Sequence, residues 1–384
     1  MEAHRQQQGE EKVHNATVKV QAGRYAKRGL SLIIKVVSTC NLACRYCDAD
    51  IYSNRRLSLD TISQIIKKAL DYADRVKFIW HGGEPLLMGI QFYEKVVKLQ
   101  KTYKREGQTI KNDLQTNGTL ISQEGVDFFK ANDFHIGVSL DGPPEVHNAN
   151  RVFRNGQGSF EQVMRGIRLL RENGVKFGVL AVITKETVKI GAKRFLDFFI
   201  ENGIFKIGIL PQRPALDIGR TDALPREEFE KFAIELFDYW YSLDDPRIEI
   251  RELNAILDRI FGAESKICIF GGDCRGKILA ITPNGDVYPC DEFMFDYSYK
   301  LGNVREQTFE EILNPMNPKL IRIRLEDLET KSISCKYSKI CNYGCPKDRY
   351  VFSRVYNEEG TCGWCNVIGH IYKRVMKDLG KIKE

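Results

Sequence analysis

The sequence predicts an α/β protein built on a parallel sheet and followed by a small cysteine-rich domain. Apolar, β-branched runs alternate with helical patterns, Asn-Gly pairs close two of those helices, and the cysteines avoid the alternating region after residue 47. Strands are expected at 31–37, 76–80, 110–115, 134–140, 175–184 and 205–210, and helices at 60–73, 91–104, 122–131, 160–173, 193–202 and 225–241. Glu172-Asn173-Gly174 and Glu201-Asn202-Gly203 supply the left-handed residue that ends a helix before the next strand. Such repetition implies right-handed crossovers, in a sheet that is either open and doubly wound or curled into a full or partial barrel. In each case ligands belong at the carboxyl ends of the strands. Past Ser242 helices become sparse. Lys277–Cys290 reads as a hairpin turning at Pro283-Asn284-Gly285-Asp286, and a helix at 367–379 closes the chain. Three parts result: an arm at 1–28, the sheet region at 29–243 and the cysteine-rich part at 244–384.

Composition narrows the class. Of 384 residues, 43% are hydrophobic and 28% charged, which excludes a disordered or fibrous chain. No apolar run is long enough to cross a membrane, and the start MEAHRQQQGEEKVH is too polar for a secretory signal. The expected compartment is therefore the cytoplasm, where thiols stay reduced. Eleven cysteines there, an odd number, point to metal ligation rather than disulfides. The net charge of +7 is a weak pointer to nucleic acid or an acidic peptide.

Cys40-x3-Cys44-x2-Cys47 follows the first strand directly. Three thiols can hold a four-iron cubane and leave its fourth iron open to a small molecule. The competing reading is structural zinc, which needs a fourth ligand such as Asp48 or Asp50. Further signals end the next strands: His81-Gly82-Gly83-Glu84-Pro85, Gln115-Thr116-Asn117-Gly118, Ser139-Leu140-Asp141-Gly142-Pro143, and then His147-Asn148-Ala149-Asn150-Arg151. Paired glycines allow close backbone approach, a Glu accepts from an ammonium, and an Arg holds a carboxylate bidentately. Taken singly, each also reads as a turn, a packed histidine or a surface arginine.

In this order the motifs resemble those of the radical S-adenosylmethionine (SAM) enzymes, over about residues 32–210. The resemblance implies a partial (β/α)6 barrel, with a [4Fe–4S] cluster on Cys40, Cys44 and Cys47 that binds SAM. It places Gly82, Gly83, Glu84, Asn117, Ser139 and Arg151 around SAM, Glu84 near the amino group and Arg151 near the carboxylate.

The remaining cysteines run Cys268-x5-Cys274-x15-Cys290, Cys335-x5-Cys341-x3-Cys345 and Cys362-x2-Cys365. Eight thiols suit two fully ligated four-iron clusters or two zinc sites. With Val287-Tyr288-Pro289-Cys290-Asp291 between them, they resemble the SPASM extension of radical SAM enzymes, which carries two auxiliary clusters. That resemblance assigns Cys268, Cys274, Cys290 and Cys345 to the first, and Cys335, Cys341, Cys362 and Cys365 to the second. Ser332 stands where the family usually has a cysteine, and Cys362 is taken as its replacement. By resemblance to the anaerobic sulfatase-maturing members, Asp291 is the base that takes a substrate proton, with Glu292 a second candidate. Tyr288, Phe293, Phe295, Tyr297 and Tyr299 either line a peptide groove or pack the small domain.

The resulting expectation is an oxidoreductase that cleaves SAM reductively and abstracts a hydrogen atom from a peptide or protein side chain. A side-chain crosslink in a ribosomally made peptide is the favoured product, and formylglycine on a sulfatase Cys or Ser the alternative. A one-electron donor such as flavodoxin or ferredoxin is implied, with neither nucleic acid nor membrane as partner. Thiolates on three clusters would balance most of the basic surplus. A zinc-ribbon nucleic-acid-binding protein is the rival from another class.

Overall fold

The computed structural model describes residues 28–47, 53–214, 223–321 (save Asp273, Arg275 and Phe295), Ile323, 336–349 and 363–381. Residues 1–27 of the expected arm, Asp48, Asp50, Cys335 and Cys362 lie outside the described residues. Six parallel strands alternate with helices: β1 (Gly29–Val37), α1 (Leu59–Tyr72), β2 (Arg75–Gly82), α2 (Ile90–Tyr103), β3 (Thr109–Thr116), α3 (Gln123–Ala131), β4 (His135–Ser139), α4 (Pro144–Asn150), α5 (Phe160–Glu172), β5 (Phe177–Ile183), α6 (Lys185–Ile190), α7 (Ala192–Glu201) and β6 (Lys206–Pro211). Gly174 and Gly203 each take φ +67°, as their place after α5 and α7 requires. Ser58 and Ser122 cap α1 and α3 by accepting from the backbone N–H of Thr61 and Gly125.

Beyond β6 come α8 (Arg226–Leu243), β7 (Glu249–Ile250), α9 (Arg251–Ile260), the hairpin β8 (Ile278–Ile281) and β9 (Asp286–Tyr288), β10 (Gly302–Asn303), α10 (Phe309–Ile312), α11 (Ser338–Cys341) and α12 (Cys365–Asp378). The sheet order is β10-β9-β8-β1-β2-β3-β4-β5-β6-β7. β7 extends the sheet beside β6, and β8 runs parallel beside β1, so the later segment supplies both edges of the sheet. The hairpin is therefore continuous with the main sheet. Among the described residues the two edges do not pair, so the sheet they form is open and is not a closed barrel. Among the described residues five helices, α4, α6, α9, α10 and α11, have no counterpart in the sequence reading. The six residues of α6 are too short to show a period, while α9 carries one in Leu253, Ile256 and Leu257. Among the described residues no helix is long and apolar enough to cross a membrane.

Alternation along the strands separates two faces. Leu32, Ile34 and Val36 on β1 and Phe78 and Trp80 on β2 are fully buried in the main core with α1 residues such as Ile62 and Ile65. Ser31, Ile33 and Lys35, and likewise Lys77, Ile79 and His81, turn to the other face and are only half-buried. Each large apolar side chain on the first face contributes roughly 1.5–3 kcal/mol by burial. The second face is thus free to carry polar groups at the strand ends.

Behind β4 the chain is latched by His147, which is fully buried. Its Nδ1 accepts from the Asp141 N–H at 3.4 Å, its Nε2 lies 3.0 Å from Ser159 Oγ, and that hydroxyl donates to the Arg151 carbonyl at 2.9 Å. Burial lowers the His147 pKa from 6.5 to about 4. A depressed folded-state pKa gives stability that is present above 6.5 and lost as pH falls towards 4. Wild type should therefore lose roughly 2 kcal/mol more than His147→Gln between about pH 7.5 and about pH 5. Urea denaturation of both proteins at both pH values measures this.

Candidate functional site

The loop after β1 is held from three sides. Ala43 and Arg45 donate their N–H groups to the carbonyls of Val152 and Asn150 at 2.8 and 2.9 Å, and Arg154 donates twice to the Cys40 carbonyl. Cys40, Cys44 and Cys47 gather around Leu42 and Phe153. From the β2 side, Gly83 N–H donates to the Val37 carbonyl at 2.7 Å and Glu84 N–H to the Thr39 carbonyl at 3.0 Å. A Cβ on Gly83 would lie 2.3 Å from the carbonyl oxygens of both Ser38 and Thr39. The paired glycines thus let the end of β2 lie directly against the cysteine loop.

The Glu84 side chain is turned into the chain between β2 and β3. Its carboxylate is fully buried and accepts from Leu86 N–H (2.9 Å), Thr116 Oγ1 (2.7 Å) and Asn117 N–H (2.8 Å). Three of its roughly four acceptor positions are filled from within the chain, so it braces β2 to β3. Burial outweighs these donors and raises its pKa to about 7. Asn117, which it positions, extends its Nδ2 to Cys40 Sγ at 3.6 Å and to Asn41 Oδ1 at 2.9 Å. Ser139 Oγ accepts from Gln115 Nε2 at 3.1 Å.

Arg151 is buried, against the expectation for a lone arginine. Its Nε donates to Asp141 Oδ2 at 3.0 Å, the Tyr46 hydroxyl donates to the same oxygen, and Asp141 Oδ1 accepts from Val182 N–H at 3.0 Å. The guanidinium also sits 5.3 Å from the centre of the Tyr46 ring. Burial disfavours the charge on Arg151, but Asp141 overcomes this and holds it protonated. Tyr46 and Asp141 were not singled out from the sequence. Their places between two cysteines and inside the Ser139–Pro143 motif were the available signals.

Four of the auxiliary cysteines lie within electrostatic reach of one another. Cys274 acts electrostatically on Cys268, Cys268 on Cys345, and Cys345 on Cys290, so the four assigned to one cluster are neighbours. Of the other four, Cys341 is buried at the end of α11 and Cys365 begins α12. Tyr288, Phe293 and Tyr299 are buried and pack the core, with the Phe293 and Tyr299 rings 4.7 Å apart, while Tyr297 is exposed.

Asp291 meets the strand ends. Its Oδ2 accepts from Lys35 Nζ at 3.1 Å, and its Oδ1 lies 3.3 Å from Cys290 Sγ. Burial pushes the Asp291 carboxyl up, but Lys35 outweighs this and holds it below its ordinary value. Glu292 belongs to a separate cluster: Arg213 contacts it at 2.8 Å and Asp348 at 2.7 Å, and Lys347 closes the set.

Two family models match the chain: the radical SAM superfamily over residues 34–191 and SPASM, an iron–sulfur cluster-binding domain, over 273–346. A cysteine-type anaerobic sulfatase-maturating enzyme of Clostridium novyi (strain NT) is 32% identical over 336 residues, covering 84% of this chain and 89% of that protein. The chain is a radical SAM/SPASM enzyme. A serine-type anaerobic sulfatase-maturating enzyme of Bacteroides thetaiotaomicron is 33% identical over 363 residues, covering 87% of this chain and 86% of that one. The structure described as native anSMEcpe with bound AdoMet and Cp18Cys peptide superposes with a TM-score of 0.79 at 29% identity, covering 92% of this chain and all of that one. Streptococcus suis SuiB bound to S-adenosylmethionine, at 20% identity and a TM-score of 0.61, covering 88% of this chain and 78% of its own, shares the fold.

The residues of this radical SAM/SPASM chain fit its iron–sulfur cofactors. Burial raises Cys40 and Cys44 to about 11, which keeps them protonated until a metal displaces the protons. Leu42 N–H at 3.3 Å and Asn117 Nδ2 already point at Cys40 Sγ, as donors that would support a ligated thiolate. Gly83→Ala should push the loop off β2 and lower iron per reconstituted chain by about one third, the share of one cluster in three. Gly178→Ala, whose added Cβ meets nothing closer than 3.6 Å, should load fully.

Proposed function

We propose that this enzyme is an anaerobic sulfatase maturase, oxidising a Cys or Ser side chain of a sulfatase to formylglycine. The relatives favour this product over the peptide crosslink that the sequence alone put first, since cysteine-type and serine-type maturases both align along more than four fifths of the chain. The observation that carries it is Asp291, held beside Cys290 and ion-paired to Lys35, an acceptor suited to the proton of a thiol or hydroxyl.

Cys40, Cys44 and Cys47 hold the cluster that binds SAM, and eight further thiols hold two auxiliary clusters, Cys335 and Cys362 among the ligands of the second. When bound, SAM and these clusters supply hydrogen-atom abstraction and one-electron transfer, fed by a donor such as flavodoxin or ferredoxin. The chain itself does the orienting. Gly82, Gly83, Asn117 and Ser139 line the SAM site, Glu84 braces its floor, and the Arg151 guanidinium, steadied by Asp141, takes the SAM carboxylate. The side chain loses two hydrogens in all, one as an atom and one as a proton with its electron released separately, and Asp291 receives that proton. A serine becomes the aldehyde directly, whereas a cysteine then exchanges sulfur for oxygen with water.

The test is anaerobic incubation of the reconstituted enzyme with SAM and a sulfatase-derived peptide, followed by an aldehyde-specific probe and mass measurement. Aldehyde at the target residue is expected. A peptide that loses two hydrogens without aldehyde would restore the crosslink reading. Cys44→Ala should abolish 5′-deoxyadenosine formation, and Asp291→Asn should lower product per 5′-deoxyadenosine by about a hundredfold.

A further inference from the structure

Lys35 joins three segments that are far apart in the chain. It lies on β1, and the alternation that buries Ile34 and Val36 among helices turns Lys35 to the opposite face. Its Nζ is 3.1 Å from Asp291 Oδ2, 256 residues away, and 3.2 Å from His81 Nδ1, 46 residues away. His81 Nδ1 also accepts from the Gly82 N–H at 2.8 Å. An ammonium and an amide N–H are donors only, so Nδ1 carries no hydrogen and the neutral ring holds its proton on Nε2. Among the described residues no hydrogen bond is made at Nε2. On the other side, Asp291 Oδ1 is approached by Cys290 Sγ, and a thiolate ligand has no hydrogen to donate. Lys35 therefore steadies one group with an open acceptor and another with an open donor.

Stability does not account for this arrangement. The Lys35 and Asp291 side chains are 19% and 23% exposed, and a largely buried ion pair gains little over apolar residues of similar size. A hydroxyl or thiol, by contrast, both donates and accepts, and so matches the pair.

We propose that Lys35 is a positioning residue that sets Asp291 Oδ1 as acceptor and His81 Nε2–H as donor for the reacting side chain, and so selects a target bearing a hydroxyl or thiol. The proposal rests on the reading of Asp291 as proton acceptor. It separates this site from one that attacks an unfunctionalised carbon, because a methyl group would satisfy neither partner.

Reconstituted wild type, Lys35→Met and Lys35→Arg are compared on sulfatase-derived peptides carrying Ser, Cys or Ala at the target position. Wild type should bind the Ser and Cys peptides about tenfold more tightly than the Ala peptide, the usual worth of a hydrogen bond to a charged group. Lys35→Met should lose that preference while binding the Ala peptide as wild type does, and its product per 5′-deoxyadenosine should fall at least about tenfold. Lys35→Arg, which keeps the charge, should recover part of both. A Ser-over-Ala preference retained in Lys35→Met, with unchanged product per 5′-deoxyadenosine, would overturn the proposal. Full product from Asp291→Asn would instead overturn the assignment of the proton acceptor, whatever Lys35 does. Iron content of each variant separates these outcomes from misfolding.

Discussion

The backbone of Gly83 lies so close to the carbonyls of Ser38 and Thr39 that nothing larger than hydrogen fits between them, and the rest of the site is arranged around that approach. It brings the end of β2 against the loop leaving β1, so the Glu84 N–H reaches Thr39 just before Cys40. The Glu84 side chain then turns inward to the end of β3 and fixes Asn117 beside the Cys40 sulfur. A chain of short contacts thus carries position from β2 to a thiol and onward to β3. A side chain at Gly83 would have to move the backbone, since the obstructing atoms are main-chain oxygens.

Charge is concentrated where burial makes it costly. Arg151–Asp141, Lys35–Asp291 and Arg213–Glu292 all lie near strand ends, partly or wholly out of water. Such pairs seldom improve stability over apolar packing, because desolvation offsets their attraction. Their value is geometric: each fixes a polar group on a face where apolar side chains would leave only a smooth wall. The apolar face of the same sheet, with Phe78, Trp80 and Ile34 fully buried, supplies the stability that tolerates them.

Local signals were legible in the sequence, and distant ones were not. Strand and helix alternation, the left-handed Gly174 and Gly203 and the glycine pair at the end of β2 all leave marks within a few residues. Lys35 reads only as a polar residue in an apolar strand, because its partners are Asp291 and His81. Arg213 had no motif at all, and its meaning comes from Glu292 and Asp348. Glu84 was legible as a motif but not as a brace, since three donors from two segments decide where its carboxylate points. The second auxiliary set remains as the sequence left it for Cys335 and Cys362, which lie outside the described residues.

Register explains how a residue so late in the chain reaches the first strand. Ile278–Ile281 pairs in parallel with Ser31–Ile34, one partner for each residue, and Asp291 follows three residues after the returning strand ends at Tyr288. A slip of one residue in that pairing would put the large Leu279 and Ile281 in the place of the small Ala280, all three being fully buried. The size difference between these buried side chains opposes the slip, and the observed pairing sets the position of Cys290 and Asp291 relative to Lys35. The cysteine-rich segment is thus held to the main sheet by backbone pairing. The distance between Asp291 and the strand ends is fixed by the same hydrogen bonds that complete the sheet, without depending on a mobile linker.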